Sequence, residues 1–153
     1  VHGTADIDND PSTECEFCHV GSFADISGAT ECTPCTEHSS TNNLDGRVHV
    51  TQCLCNPGFY GVLTDSSDVC TACDAGTEKT SVGAGSCVAC MPGTADLDSD
   101  PSTECTVCDA GSYAAVGGTV CELCVAAPPW GLWPELATTL PPRLHMECPA
   151  RTG

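Results

Sequence analysis

Basic residues and bulky apolar residues are both scarce in this chain of 153 residues. Lys and Arg total 4 against 21 Asp and Glu, giving a formal net charge of −17. This balance excludes the basic patches with which proteins bind nucleic-acid phosphates. Leu, Ile, Val and Phe make up about a sixth of the chain, too little for the conventional core of one domain of this length. No stretch approaches the roughly 18 consecutive apolar residues of a membrane helix.

Cysteine, in contrast, is abundant, with 15 residues. Such a content predicts a scaffold in which disulfides replace the missing core. The predicted fold class is small and disulfide-rich: an elongated array of short loops and β-hairpins with little regular secondary structure, each loop touching mainly its neighbours. Disulfides predict an oxidising location, extracellular or at the cell surface. The chain begins at Val1 and shows no signal peptide, which predicts a piece of a longer protein.

Cysteine pairs recur at a regular spacing along residues 3–124. They begin 16 to 21 residues apart, at Cys15, Cys32, Cys53, Cys70, Cys87, Cys105 and Cys121. The pair at Cys53 reads C-x-C and the others read C-x-x-C. Gly follows the second cysteine of most pairs by three residues, and His38 takes that place once. Glycine permits the positive φ of a tight turn, so each unit is predicted to be a short loop. Alternating patterns predict strands within Arg47–Val50 and Gly111–Ala115, and no helix is predicted in residues 1–124.

A longer repeat and a change of composition divide the chain. Residues 3–18 (GTADIDNDPSTECEFC) and 93–108 (GTADLDSDPSTECTVC) are identical at 12 of 16 positions. We predict a first, N-terminally truncated group of cysteine-rich repeats over residues 1–53 and a second group over 54–124. Residues 125–153 contain both Trp and most of the Pro, and they are predicted to be an irregular tail. A docking segment is the alternative for this tail.

The simplest disulfide pattern joins the second cysteine of each pair to the first cysteine of the next. It avoids the tiny, reducible ring that a bond within C-x-x-C would close. The predicted bonds are Cys18–Cys32, Cys35–Cys53, Cys55–Cys70, Cys73–Cys87, Cys90–Cys105 and Cys108–Cys121. An interlaced alternative, Cys15–Cys32 with Cys18–Cys35, remains open because spacing alone does not determine connectivity.

Three cysteines are left outside this pattern. In the long repeat Cys15 corresponds to Cys105, whose predicted partner is Cys90; the equivalent of Cys90 would lie immediately before Val1. Cys15 is therefore predicted to be unpaired in this chain. At the other end Cys124 remains, with Cys148 as its candidate partner.

The run CNPGFYGVLTDSSDVCTACDAGTEKTSVGAGSCVAC resembles the cysteine-rich, ephrin-receptor-like repeat family. That family is itself similar to the first loop of tumour-necrosis-factor-receptor modules and to EGF-like and growth-factor-receptor cysteine-rich domains. Cys53-Leu54-Cys55 followed by Gly58-Phe59-Tyr60-Gly61 resembles the end of an EGF-like module. The resemblance covers residues 3–124. It implies an extracellular or luminal repeat array in a larger surface protein, without catalytic activity of its own.

Two kinds of metal site are alternatives to a purely structural reading. The spacing of the cysteine pairs is close to that of a four-cysteine zinc ribbon. The acidic loops have the D-x-D-x-D spacing of calcium ligands, in Asp6, Asp8 and Asp10 and again in Asp96, Asp98 and Asp100. An EF-hand is excluded, because its sixth position holds Pro11 or Pro101 instead of Gly. The alternative to calcium is an acidic turn held by local hydrogen bonds to Ser and Thr.

No enzyme is predicted, because none of the five His residues lies in a motif with Ser or Cys. No cofactor is predicted apart from calcium. The predicted function is a non-catalytic extracellular module that acts as a spacer or protein-interaction segment. A calcium-binding adhesion or storage segment and an intracellular zinc protein are the alternatives. The predicted partner is a protein or a neighbouring repeat of the same larger protein, and the acidic surface favours cationic partners.

Overall fold

The structure, a computed structural model, describes residues 2–124, and the predictions for residues 125–153 lie outside them. Within the described part, seven antiparallel two-stranded sheets follow one another along the chain, each a hairpin of consecutive strands. The strands β1 to β14 are, in chain order, Thr4–Ala5, Glu16–Phe17, Ser22–Phe23, Thr33–Pro34, Ser39–Ser40, Leu54–Cys55, Phe59–Tyr60, Thr71–Ala72, Thr77–Glu78, Val88–Ala89, Thr94–Ala95, Thr106–Val107, Ser112–Tyr113 and Glu122–Leu123. The predicted fold class, small and disulfide-rich with little regular secondary structure, is confirmed.

The strands are shorter than the alternating patterns predict. Only Ser112–Tyr113 of the Gly111–Ala115 fragment is a strand, and Arg47–Val50 forms none. Arg47 instead makes an isolated bridge to Phe23, and a 3₁₀ helix, Val50–Gln52, follows. The His49 ring accepts the Thr51 N–H at the start of this helix. No helix of residues 2–124 is long and apolar enough to cross a membrane.

Each hairpin belongs to a unit that starts at a glycine, or at His38 in unit 3, and ends with a cysteine pair. Units 1 to 7 are residues 3–18, 21–35, 38–55, 58–73, 76–90, 93–108 and 111–124. In unit 1 the N–H of the last residue, Cys18, donates to Gly3 O at 3.0 Å, and Cys35 repeats this bond with Gly21 O at 2.8 Å in unit 2. These glycines have φ of +78° and +84°, in the left-handed region. Glycine at the first position of these units therefore allows the turn to form, because it adopts positive φ without steric cost.

His38 starts unit 3 in place of glycine and still adopts the left-handed conformation, with φ of +61°. Its ring stacks on Phe59 of unit 4 with the centroids 3.9 Å apart and the planes 8° from parallel. Stacking of this kind offsets part of the backbone strain of a non-glycine residue at positive φ. The substitution is therefore accommodated without loss of the hairpin.

Six disulfides join each of the first six units to the next. They are Cys18–Cys32, Cys35–Cys53, Cys55–Cys70, Cys73–Cys87, Cys90–Cys105 and Cys108–Cys121. They join the second cysteine of each pair to the first cysteine of the next, and the interlaced alternative is not formed because Cys18 bonds Cys32. The zinc alternative loses its ligands, since these cysteines are oxidised. Cys15 has a free thiol, whereas Cys124 has a bonding partner; its predicted partner Cys148 lies outside the described residues.

Within residues 2–124, many of the buried apolar residues belong to one of two separate clusters. The bulky cluster contains Phe23, Val50 and Leu63 around three half-cystines, Cys53, Cys55 and Cys70. The alanine–cystine cluster contains Ala5, Ala24 and Ala29 around Cys18, with Cys32 packed against it. The predicted boundary between residues 53 and 54 falls inside the third hairpin, where Ser39–Ser40 pairs with Leu54–Cys55. The division of the chain into two groups of repeats stays a prediction.

Backbone hydrogen bonds connect neighbouring units and, in three cases, units two apart. Between neighbours, Gly3 N–H donates to Ala24 O at 3.1 Å and Asp6 N–H donates to Ala29 O at 2.8 Å. Three loop glycines reach back two units to the carbonyl of a closing cysteine. These bonds are Gly46 N–H to Cys18 O at 2.8 Å, Gly83 N–H to Cys55 O at 2.8 Å, and Gly117 N–H to Cys90 O at 2.9 Å. Each loop therefore contacts mainly its neighbours, with three additional bonds to a unit two positions back.

Candidate functional site

The first acidic loop, within unit 1, is a turn held by its own carboxylates. The Asp10 N–H donates to Asp8 Oδ1 at 3.0 Å, and the Thr13 hydroxyl donates to both Asp8 oxygens at 3.0 Å. The Asp10 carboxylate accepts the Ser12 N–H at 2.9 Å and the Ser12 hydroxyl at 2.7 Å. These bonds favour the ionised carboxylates. The Asp10 N–H holds the pKa of Asp8 below its usual value, and the Ser12 hydroxyl does so for Asp10.

The second copy of this loop, within unit 6, has nearly the same internal hydrogen bonds. The Asp100 N–H donates to Asp98 Oδ1 at 3.1 Å, and the Thr103 hydroxyl donates to Asp98 Oδ2 at 3.0 Å. The pKa of Asp98 is lowered chiefly by the Asp100 N–H and then by the Thr103 hydroxyl. Asn9 and Ser99, at corresponding positions, both have positive φ, +55° and +58°. The local sequence alone therefore determines the shape of the loop.

The predicted calcium ligands do not converge on a common point in either loop. Asp8, Asp10 and Asp98 point their carboxylates at the N–H and hydroxyl groups of their own turns. Asp96 is only 4% exposed, and its Oδ2 accepts the Gly76 N–H of the preceding unit at 3.0 Å. Across residues 2–124 no group of three His, Cys, Asp or Glu side chains is placed to hold a metal ion. The geometry favours the hydrogen-bonded turn, and calcium binding stays a prediction.

A third carboxylate loop, which the sequence analysis missed, lies in unit 4. Asp68 Oδ2 accepts the N–H of Thr64 at 2.6 Å, the Thr64 hydroxyl at 2.7 Å, and the Asp65 N–H at 3.0 Å. The Thr64 hydroxyl is the main cause of the lowered pKa of Asp68. The signal was present in the sequence as T-D-S-S-D, an Asp four residues after a Thr, but it lacks the D-x-D spacing of the other two loops.

Lys79 is a further residue whose role the sequence analysis missed. The residue is 5% exposed, and its ammonium donates to Ser81 O at 2.6 Å. Burial lowers the pKa of this amine, because the charged form loses hydration. Its backbone connects three units: the N–H donates to Pro101 O at 2.8 Å and the carbonyl accepts the Gly58 N–H at 2.9 Å. No motif marks this role, since it depends on packing between units.

The aromatic side chains divide between packing and exposure. Phe23 is buried in the bulky cluster, and Phe59 packs against that cluster. The Tyr113 hydroxyl donates to Glu122 Oε2 at 2.7 Å across its hairpin, and this bond raises the pKa of the phenol. Tyr60 is 42% exposed. Tyr60 and Phe17, which is 64% exposed, are therefore the aromatic residues most available for contact with a partner.

Two known proteins are similar to parts of this chain, and no family model matches it. Ephrin type-B receptor 4a of Danio rerio is 42% identical over 59 residues, which cover 38% of this chain and 6% of the receptor. Cysteine repeat modular protein B of Toxoplasma gondii is 38% identical over 74 residues, which cover 48% of this chain and 1% of that protein. The matched regions are therefore small fractions of both relatives. Together with the six disulfides, they identify the chain as a cysteine-rich repeat.

Proposed function

We propose that this chain is a non-catalytic, extracellular cysteine-rich repeat module that acts as a structural spacer in a larger surface or secreted protein. The observation that carries the proposal is the serial linkage of the units. Each of the first six units is joined to the next by one disulfide. A covalent link at every joint makes the distance between the two ends insensitive to local fluctuations. Such a chain is suited to holding other domains apart.

Three further observations support the proposal. The disulfides require an oxidising compartment to form and persist. The two similar proteins are named as a receptor and as a cysteine repeat modular protein, and each is far longer than the matched region. The sequence resembles the ephrin-receptor-like repeat family at the cysteine pairs and the following glycines. On this basis the chain is one segment of a larger ephrin-receptor-like repeat array.

The surface charge restricts the partners of this spacer. A net charge of −17 repels nucleic acids and other acidic surfaces and attracts cationic proteins over a few Debye lengths. The carboxylates of the acidic loops are engaged with their own turns, so they contribute charge more than directional contacts. Protein partners of the proposed module are therefore neighbouring repeats or basic surfaces, with association weakened by salt.

Small-angle X-ray scattering of the full chain tests the proposal. A compact domain of this length would have a radius of gyration of about 15 Å. We expect a larger value and a pair-distance distribution skewed to long distances, as an extended particle gives. Addition of a strong reductant should convert the profile to that of an unfolded chain, while a metal chelator should change nothing.

Two results would contradict the proposal. A radius near that of a compact sphere would reject a spacer, and a profile that a chelator but not a reductant disrupts would restore the zinc alternative. A variant with Cys15→Ser serves as the matched control, because this substitution removes a thiol without removing any of the six disulfides. Its profile should equal that of the unmodified chain.

A further inference from the structure

The two copies of the acidic loop differ in what covers them. In unit 6, Cys105 is bonded to Cys90, and Asp96 accepts the Gly76 N–H. The N–H of Cys105 also donates to the Glu78 carboxylate, and Pro101 O accepts the Lys79 N–H. All four contacts come from unit 5. They cover Asp96, Pro101 and Cys105, so that Asp96 is buried and Pro101 and Cys105 are half-buried.

In unit 1 the same face is open. Pro11, Ser12 and Cys15 are exposed, and Asp6 is half-buried although its counterpart Asp96 is buried. The loop itself is unchanged, because the carboxylates of Asp8 and Asp98 accept the equivalent N–H groups at 3.0 and 3.1 Å. The difference is therefore the absence of a covering unit from the described residues and not a different conformation of the loop.

Gly28, in the loop of unit 2, provides an independent observation when it is compared with Gly117 of unit 7. Gly117 of unit 7 donates its N–H to Cys90 O, while Asp96 N–H donates to the adjacent Gly118 O. Units 6 and 7 thus hold Cys90 both through its carbonyl and through its sulfur. Asp6 N–H donates in the same way to Ala29 O, which makes Gly28 the counterpart of Gly117.

The Gly28 N–H has no hydrogen-bond partner among the described residues. A Cβ at Gly28 would meet nothing within 4 Å, and Gly28 has positive φ, as does Gly117. The spacing indicates where a partner would lie. Gly46 follows Cys18 by 28 residues, Gly83 follows Cys55 by 28, and Gly117 follows Cys90 by 27. These separations counted back from Gly28 lead to Val1 or to the residue immediately before it. The pairing Cys90–Cys105, transferred to Cys15, leads to the residue immediately before Val1.

We propose that the face formed by Asp6, Pro11, Cys15 and Gly28 is a docking surface for one more cysteine-rich unit, joined to the chain directly before Val1. The last cysteine of that unit bonds Cys15 through its sulfur and accepts the Gly28 N–H through its carbonyl. The glycine that starts the unit donates its N–H to the Asp6 carboxylate, and its third following residue donates to Pro11 O. Formation of the bond oxidises two thiols to one disulfide, with the two electrons and two protons passing to an external disulfide oxidant.

The test adds a copy of residues 73–90 directly before Val1 of the full chain. This segment contains the Cys73–Cys87 disulfide within itself and ends at the cysteine that bonds Cys105 in the native chain. After refolding with a glutathione couple, alkylation and non-reducing peptide mapping are applied to the original and extended chains. We expect Cys15 to be fully alkylated in the original chain, and in the extended chain to be unmodified and bonded to the last added cysteine.

A matched control replaces that last added cysteine by Ser, and Cys15 should then be alkylated again. Asp6→Asn should lower the melting temperature of the extended chain more than that of the original chain, because only the extended chain places an N–H at this carboxylate. The proposal is overturned if Cys15 and the added cysteine both remain alkylated, or if they bond elsewhere. The docking surface rests on the proposed array function, but the experiments distinguish the two. If scattering shows an elongated particle while Cys15 is still alkylated in the extended chain, the docking surface is rejected and the spacer function is not.

Discussion

The two apolar clusters both surround half-cystines, but they do so with side chains of different size. The bulky cluster surrounds its half-cystines with Phe23, Val50 and Leu63. The alanine–cystine cluster has no side chain larger than cystine itself. In a small module a cross-link substitutes for buried apolar area, because it restricts the unfolded chain instead of stabilising the folded one. The comparison teaches that the dependence on disulfides need not be uniform along the chain.

Removal of one disulfide from each cluster should give the largest difference in stability between the two clusters. The double variant Cys18→Ser with Cys32→Ser should lose about 3 kcal/mol of unfolding free energy from loop closure, and its neighbourhood of alanines offers little packing to retain structure. The variant Cys35→Ser with Cys53→Ser should retain more local protection, since Phe23, Val50 and Leu63 remain. Hydrogen exchange at the cluster amides measures this difference, and equal loss of protection in both clusters would refute it.

Truncation of a buried apolar side chain tests how much packing, apart from the disulfides, stabilises the bulky cluster. Leu63 is 4% exposed in the bulky cluster, so Leu63→Ala should cost about 2–5 kcal/mol through lost burial and the cavity left behind. Val62, the adjacent residue, is 66% exposed, and Val62→Ala should change stability by less than about 0.5 kcal/mol. Guanidinium denaturation with the disulfides intact measures both. A small effect at Leu63 would mean that cystines alone stabilise this cluster too.

Sequence reasoning succeeded where the information is local or linear. The positions of the turns follow from glycines such as Gly3 and Gly21, and the acidic loops follow from Asp, Ser and Thr within five residues of one another. The small disulfide-rich class follows from cysteine content and the lack of a core. All of these depend on neighbours in the chain, where covalent geometry limits the alternatives.

The missed features depend on contacts between units. The burial of Asp96 requires the Gly76 N–H, 20 residues away in sequence, and nothing within unit 6 distinguishes this carboxylate from Asp6. Lys79 is buried by packing that no periodicity shows. The bonds that reach back two units, such as that of Gly46 to Cys18, depend on how successive hairpins stack. Such information is absent from any single repeat.

The smallest expected difference in stability is between alanine variants of two glycines, only one of which lies close to another backbone segment. Gly3 and Gly21 have similar positive φ, so an alanine at either position has the left-handed cost of about 1–2 kcal/mol. A Cβ at Gly3 would also lie 2.4 Å from Gly46 O, whereas at Gly21 it would meet nothing within 4 Å. We therefore expect Gly3→Ala to be less stable than Gly21→Ala by about 1–3 kcal/mol. Thermal denaturation of the pair measures the difference, and equal melting temperatures would argue against close packing of Gly3 against the Gly46 backbone.

The serial disulfides have a mechanical consequence for the chain under tension. From Cys18 to Cys121 a continuous covalent path crosses each disulfide and then only the short connection within a cysteine pair. The loops that the disulfides close, with sequence separations of 13 to 18, lie off this path and carry no load. Even if pulling removed every hydrogen bond, the contour length would stay a small fraction of that of a linear polypeptide. Such a tether would lengthen substantially only when a sulfur–sulfur bond is reduced.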